Sequence, residues 1–531
     1  MLQEKILLVI SLLFGIAVLT MLSNKLKISH PILLVISGLI ISLIPGIPSI
    51  TLEPDLVFLI FLPPLLYAAA WNTSWHDFWR MKRPISLLAF GLVIFTSTAV
   101  AYVSNWIIPG FPLAFGFLLG GIISPPDAIA ATSVFKGLPI PKRVNTILEG
   151  ESLVNDASSL IVFRFALAAI LTGQFQFWTA TKTFFLVVVI GIAIGIAIAV
   201  IVFFIHKLLP TTPSMDAVIT LITPYIMYIT AEHFHYSGVL AVVSGGLFLS
   251  FRSQEIFSYE SRLYTVGVWD TLVFLLNGLV FILIGLQLPV IVNGLGSYSI
   301  IEAVLYGLVI SIVTVIIRII WVFPGAYLPR ILFKSIRLAE PNPGWRSVLL
   351  VAWSGMRGVV SLAAALAVPL TFTNGEQFPH RNLILFITFI VILFTLVLQG
   401  LSLKPLIRFL KIEDREKDSD QLDSMDMRIR LAESVLTYLD INYADKIQEN
   451  ETYKRVRDRY ERMIEIAKRN LESNQQGEGS TFLPEYRQML IELIQIRRRE
   501  LKYMRYKGEY SEELIREREW ELDLEEARLM N

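Results

Sequence analysis

Apolar runs close to twenty residues long, about the length that crosses the hydrocarbon layer of a bilayer, recur throughout the first three quarters of this chain. They fall near residues 6–22, 31–46, 55–71, 84–107, 111–135, 145–172, 184–206, 216–234, 237–251, 270–290, 300–328, 346–370 and 382–403. A transmembrane barrel would show shorter segments of alternating polarity instead. The pattern therefore predicts an all-α polytopic membrane protein with about 13 transmembrane helices. The first run, Ile6–Leu22, has no small-x-small cleavage site and leads directly into Lys25 and Lys27. That reads as a retained helix rather than a secretory signal.

Basic residues cluster in alternate loops. Lys25 and Lys27, then Arg80, Lys82 and Arg83, then Lys136, Lys142 and Arg143 follow odd-numbered runs. Lys207, Arg252, Arg262, Arg330, Lys334, Arg337, Arg346, Lys404, Arg408 and Lys411 continue the series, whereas the other loops hold chiefly Lys182 and Arg381. The positive-inside rule then puts the N-terminus outside and the C-terminal tail in the cytoplasm of a cell-membrane protein. From about Lys411 the chain turns charged and Glu/Arg-rich. The expected division is a transmembrane domain over 1–410 and a charged helical cytoplasmic domain over 411–531. Helical patterns in the tail cover Met425–Arg469 and Pro484–Glu526, separated by a polar linker at Ser473–Ser480. The Arg497-Arg498-Arg499 run there reads as a solvated helix face.

Two apolar runs are interrupted, the fifth by Ser124-Pro125-Pro126 and the twelfth by Ser354-Gly355-Met356-Arg357-Gly358. Each is second from last in a block of six, within residues of about 6–172 and 216–403. Breaks at matching positions in halves of opposite orientation point to inverted repeats and a mid-membrane binding site.

Acids lie where such a site would be. Asp127 follows the prolines of the first break, and Asp156 lies in Gly150-Glu151-Ser152-Leu153-Val154-Asn155-Asp156. If the sixth helix starts near Asn145, Asp156 is about 16 Å along it, near mid-membrane. An ionised Asp there costs roughly 2.5–3.5 kcal/mol even on the mildest scale, so it implies a function. Ser152, four residues earlier, shares its helix face and can add a hydroxyl ligand. Asn155 can tie the broken fifth helix in place. Hard oxygen ligands suit a transported alkali cation at Asp156.

Arg318, about 15 Å from the cytoplasmic end of its helix, needs a buried anion, and Glu151 lies at matching depth. Arg357 falls in the second break, where freed carbonyls can solvate it. Arg164, nearer the outer end, is expected to snorkel to the interface. Glu232-His233-Phe234-His235 resembles a metal pattern but lacks further ligands. The chain contains no cysteine, so thiolate sites and disulfides are excluded. No Walker loop, dinucleotide fingerprint or nucleophile triad supports ATP drive or enzyme chemistry, and no cofactor or nucleic-acid partner is implied.

Gly150-Glu151-Ser152 with Asn155-Asp156, Phe61-Leu62-Pro63-Pro64-Leu65-Leu66-Tyr67 and Trp353-Ser354-Gly355-Met356-Arg357-Gly358 resemble the monovalent cation/proton antiporters of the sodium/proton exchanger family. The resemblance runs from about residue 10 to 405 and does not cover the tail. It implies an elevator-type homodimer whose core contains two crossed, discontinuous helices. It also implies that Asp156 binds cation or proton, with Asn155 and Asp127 in support, and that Glu151 pairs with Arg318. Two positions depart from the family. Pro126-Asp127-Ala128 stands where Thr-Asp-Pro is frequent, leaving only the Pro126 carbonyl as a ligand, and Ala68 replaces an acid. Sodium, lithium and potassium all remain open as substrates. The expected activity is exchange of cytoplasmic sodium for external protons, electroneutral, serving pH and salt homeostasis. The alternatives are a potassium-selective antiporter and a cation channel, although a channel would carry rings of ligands about a symmetric pore.

Overall fold

The computed structural model describes residues 2–26, 29–44, 54–135, 138, 140–174, 177–296, 298–340, 342–372, 375–411, 415–475, 482–507 and 512–530. Among them the chain is helical, with one isolated bridge, Thr371 to Gln377, as its only β pairing. It divides into two compact units, Met1–Asp414 and Arg415–Asn531.

In the first unit, nine helices among the described residues are long and apolar enough to cross a membrane. Three shorter apolar helices, His30–Ser42, Phe58–Asn72 and Gly238–Phe251, accompany them. Their outward faces are frankly apolar: Phe14 is 71% exposed and Ile301 74%. Water would not tolerate so continuous an apolar surface, whereas lipid does.

Without a hydrophobic driving force in lipid, helices associate through close packing at small residues. Gly116 and Gly120, one turn apart on Leu113–Ile123, lie against Ala101 and Ser97 of Val93–Ile107. A Cβ on Gly120 would come within 2.6 Å of the Ser97 backbone. No other residue fits there.

A π-helical turn, Leu87–Leu92, interrupts the span that ends at Ile107. Such turns expose carbonyls, and both neighbours use them. Trp321 Nε1 donates to Leu87 O at 3.0 Å, and Ser158 Oγ donates to Ala89 O. The turn thereby fastens the span to Lys142–Thr172 and Ile300–Leu332, the helices that carry Asp156 and Arg318.

In the second unit each expected helical stretch is subdivided. Arg415–Asn442, Ala444–Glu449 and Glu451–Gln475 replace the first pattern. Asn450 makes the break, accepting the Thr452 N–H through Oδ1 at 2.9 Å, a local turn that competes with helix. Phe482–Lys507 and Glu512–Met530 replace the second. Of the proposed linker, Ser473–Gln475 is helical and 476–480 lies outside the described residues. The arginine run is not merely solvated. Arg497 meets Glu525 at 2.6 Å, and Arg498 meets both Glu526 at 2.6 Å and Asp523, joining the last two helices.

Candidate functional site

Pro125 and Pro126 cannot donate backbone hydrogen bonds, and the helix Leu113–Ile123 stops before them. The chain resumes as Ala128–Phe135. The second interruption separates Trp345–Trp353 from Val359–Leu366. These breaks meet. Asp127 N donates to Met356 O at 2.7 Å, and Gly358 lies so close to the Asp127 carboxylate that any Cβ there would overlap it.

Each break places a charge against the opposite end of a half-helix. Asp127 Oδ1 accepts the Ile129 N–H at 2.8 Å, at the N-terminus of Ala128–Phe135, where the helix dipole favours an anion. Arg357 donates to the carbonyls of Ile123 at 2.8 Å and Ser124 at 3.3 Å, where the preceding half-helix ends, and to Gly355 O. Those carbonyls have no intrahelical donors, so the fully buried guanidinium satisfies them while being solvated by them.

Lys142–Thr172 lines the site from one side. Asn155 Nδ2 donates to Pro126 O at 3.1 Å, and Ser152 Oγ accepts the Ala128 N–H at 3.3 Å. Both side chains therefore hold the first break. The Pro126 carbonyl is occupied by Asn155, and the Ser152 hydroxyl still borders the cavity. Glu151 is engaged by an arginine packed against the second break, beside Gly355. Arg318 Nη1 and Nη2 reach its two oxygens at 2.6 and 2.8 Å, and Arg318 also donates to Val351 O. Both side chains are buried to within 1%, so the pair closes its own charge.

Asp156 is different. It is 7% exposed, and its carboxylate has no hydrogen bond or ion pair among the described residues. It borders a cavity of about 240 Å³ together with Asp127, Ser152 and Glu149. The facing wall is supplied by Phe58–Asn72 and Tyr259–Leu286, including Ala68, Asn72 and Asn277. Among the described residues, no Lys, Arg or His lines it. A cavity lined by an unpaired carboxylate together with hydroxyl and amide groups can hold a small dehydrated cation or protons, but offers an organic anion nothing.

A family model described as "Sodium/hydrogen exchanger, transmembrane" matches residues 8–409. The chain belongs to the sodium/hydrogen exchanger family. It is 32% identical over 418 residues to the sodium, potassium, lithium and rubidium/H(+) antiporter of Bacillus pumilus, covering 76% of this chain and 60% of that one. The corresponding antiporter of Bacillus subtilis is 34% identical over 69% of this chain and 56% of its own. The chain thus matches somewhat over half the length of those relatives. The sodium proton antiporter MjNhaP1 from Methanocaldococcus jannaschii shares the fold, with a TM-score of 0.61 at 21% identity, over 77% of this chain and 99% of that one.

The partners of several charged residues escaped the sequence reading. Arg164 does not snorkel alone; it pairs with Glu232 at 2.5 Å, and Glu232 also accepts the Gly238 N–H, so the Glu-His-Phe-His stretch is anchored by an arginine. Among the described residues, no group of three His, Asp or Glu is arranged to hold a metal. His206 and Asp216 form a buried pair at 2.8 Å across the turn between two spans. An acid in the first turn of an apolar helix was the available signal. Glu340 gathers arginines from distant loops. Arg83 reaches it at 2.8 and 2.5 Å, Arg143 lies 3.9 Å away, and Arg330 donates to its carbonyl. The Arg83 hydrogen bonds, aided by the charges of Arg83, Arg143 and Arg330, hold the Glu340 carboxyl below its usual range.

Proposed function

We propose that this protein is a secondary antiporter that trades cytoplasmic sodium for external protons at Asp156. The carrying observation is the unpaired, buried Asp156 carboxylate beside the meeting point of the two breaks. A charge buried without a protein partner must be neutralised by whatever it binds. A proton and an alkali cation can each do so, but not together, and one carboxylate exposed to alternate sides then couples their flows. Ser152 offers its hydroxyl to the cation, and Asp127 contributes a fixed negative field. Asn155 positions the first break. Pro126 and Arg357 are structural, as is the Glu151–Arg318 pair.

Potassium and lithium are further candidate substrates, since the Bacillus relatives are named for sodium, potassium, lithium and rubidium. The loop charges favour an outside N-terminus and a cytoplasmic tail in the cell membrane. The two halves, about 6–172 and 216–403, read as inverted repeats that share the load in an elevator-type homodimer. The protein is a transporter for pH and salt homeostasis and not an enzyme. This division assigns transport to 1–410 and leaves 411–531 as a charged helical attachment.

Purified protein in liposomes tests the reading through internal pH after addition of sodium, potassium or lithium. Wild type should show cation-driven pH change, and Asp156→Asn should abolish it while folding is retained. Normal exchange by the folded variant would refute the assignment.

A further inference from the structure

Glu149 is the one carboxylate bordering the cavity to which the antiport reading gives no task. It lies three residues before Ser152 and seven before Asp156, so all three share one face of Lys142–Thr172. Seven residues place it about 10 Å along the helix from Asp156, toward the end that the loop charges assign to the cytoplasm. Neither of the buried arginines serves it: Arg318 is engaged by Glu151, and Arg357 by backbone carbonyls. Its carboxylate has no hydrogen bond or ion pair among the described residues, and it is only part-buried. An isolated acid on an apolar wall has no structural partner to explain it.

Two features of the same cavity indicate what it faces. Among the described residues, the lining contains three carboxylates and no basic side chain. At its deep end, Asp156 is more than nine-tenths buried, unpartnered and directed into the space. Low-dielectric walls around charges of one sign concentrate field lines and raise the local concentration of counter-ions.

We propose that Glu149 is the vestibule ligand for the incoming monovalent cation, holding it two helical turns ahead of Asp156. The inference rests on the antiport reading and adds a first binding step to it. A partly hydrated alkali cation exchanges some water for the Glu149 oxygens. It then passes Ser152 and arrives at Asp156, where it displaces the proton. Glu149 keeps its charge throughout and neither gains nor loses a transported proton. Its contribution is to the capture of cation at low concentration, not to turnover once the site is filled.

Sodium-driven proton flux in proteoliposomes separates these roles. With Glu149→Gln the KM for sodium should rise about tenfold, at the lower end of what one-sign clefts achieve, with maximal rate retained. Glu149→Asp, which keeps the charge, should recover most of the affinity. Raising ionic strength with choline chloride should weaken sodium affinity in wild type and much less in Glu149→Gln, because salt screens a partly exposed charge. A wild-type KM in Glu149→Gln, or a lower maximal rate at unchanged KM, overturns the vestibule role alone. Failure of wild type to move protons with any alkali cation overturns the antiport reading, and this one with it.

Discussion

The side-chain amide of Asn155 donates to the carbonyl of Pro126 at 3.1 Å, joining the helix that carries Asp156 to the break that carries Asp127. Pro126 contributes no N–H of its own, and its carbonyl lies in a buried turn where few donors can reach. The amide therefore sets the spacing between the two acids without adding a charge. Removing it, as in Asn155→Ala, strands a buried carbonyl and should cost about 1–3 kcal/mol. Thermal unfolding in detergent would register the loss as a lowered Tm; an unchanged Tm would mean the bond contributes nothing.

Because Asn155 cannot titrate and Ala68 stands where another acid would be possible, Asp156 is proposed as the only group exchanging protons. On that proposal Asp127, whose Oδ1 accepts the Ile129 N–H at a helix N-terminus, supplies field only. The proposal then requires that one cation leave for each proton entering, with no net charge moved. Sodium exchange in liposomes should proceed at the same rate with and without a valinomycin-clamped potassium potential. A rate that tracks the potential would require a second titrating group.

Glu151 and Arg318 form a closed, buried pair, so neutralising either one leaves a stranded charge. Glu151→Gln and Arg318→Met should each lower stability by about 3–5 kcal/mol. The double variant should regain part of that loss, and the double-mutant cycle should give a large coupling energy. Additive effects would show that the two charges act independently.

Gly358 faces Asp127 with no room for a methyl group. Gly358→Ala must push the carboxylate or the second break aside, at about 1–3 kcal/mol of overpacking strain. The expected result is a folded protein with weakened sodium affinity, read from the same flux assay. Wild-type affinity and Tm together would contradict so close an approach.

Glu340 offers a pH test away from the transport site. Its carboxyl is held below the usual value of 4.5 by the Arg83 hydrogen bonds and neighbouring arginine charges. A depressed carboxylate contributes stability that is fully present above its unfolded value and disappears as pH falls through the folded one. Glu340→Gln should therefore unfold at a lower temperature than wild type at pH 6–8. The gap should close as pH drops below about 4.5. A gap that widened on acidification would have the wrong sign.

Most of the helices were legible because a bilayer sets a length of about twenty residues, and nine spans among the described residues meet it; runs near 31–46, 55–71 and 237–251 contain shorter apolar helices instead. The helix breaks were legible for an equally local reason, proline in one and paired glycines in the other. Depth along a helix is a one-dimensional quantity, so Glu151 and Arg318 could be set at one level from sequence; their roles in transport remain the proposals made above. Rotation about the helix axis and partners across loops are not one-dimensional. Arg164 was assigned to the interface because its partner, Glu232, lies 68 positions away. His206 and Asp216 were missed although only a short turn separates them, since both sit in segments that otherwise read as uniformly apolar. In the tail, amphipathic periodicity continued through Asn450, whose side chain closes a turn that no periodicity reveals.

Arg357 binds carbonyls from both sides of the crossing, Ile123 and Ser124 on one strand of the break and Gly355 on the other. Pulling the two apart would leave a bare guanidinium in a dry interior, a penalty far above thermal energy. Mechanically, the arginine is a rivet. On the proposed antiport reading, a motion that presents Asp156 to the opposite face would carry both broken spans as one carriage, with the slip plane along the wall of Phe58–Asn72 and Tyr259–Leu286, where no such charge has to be unfastened.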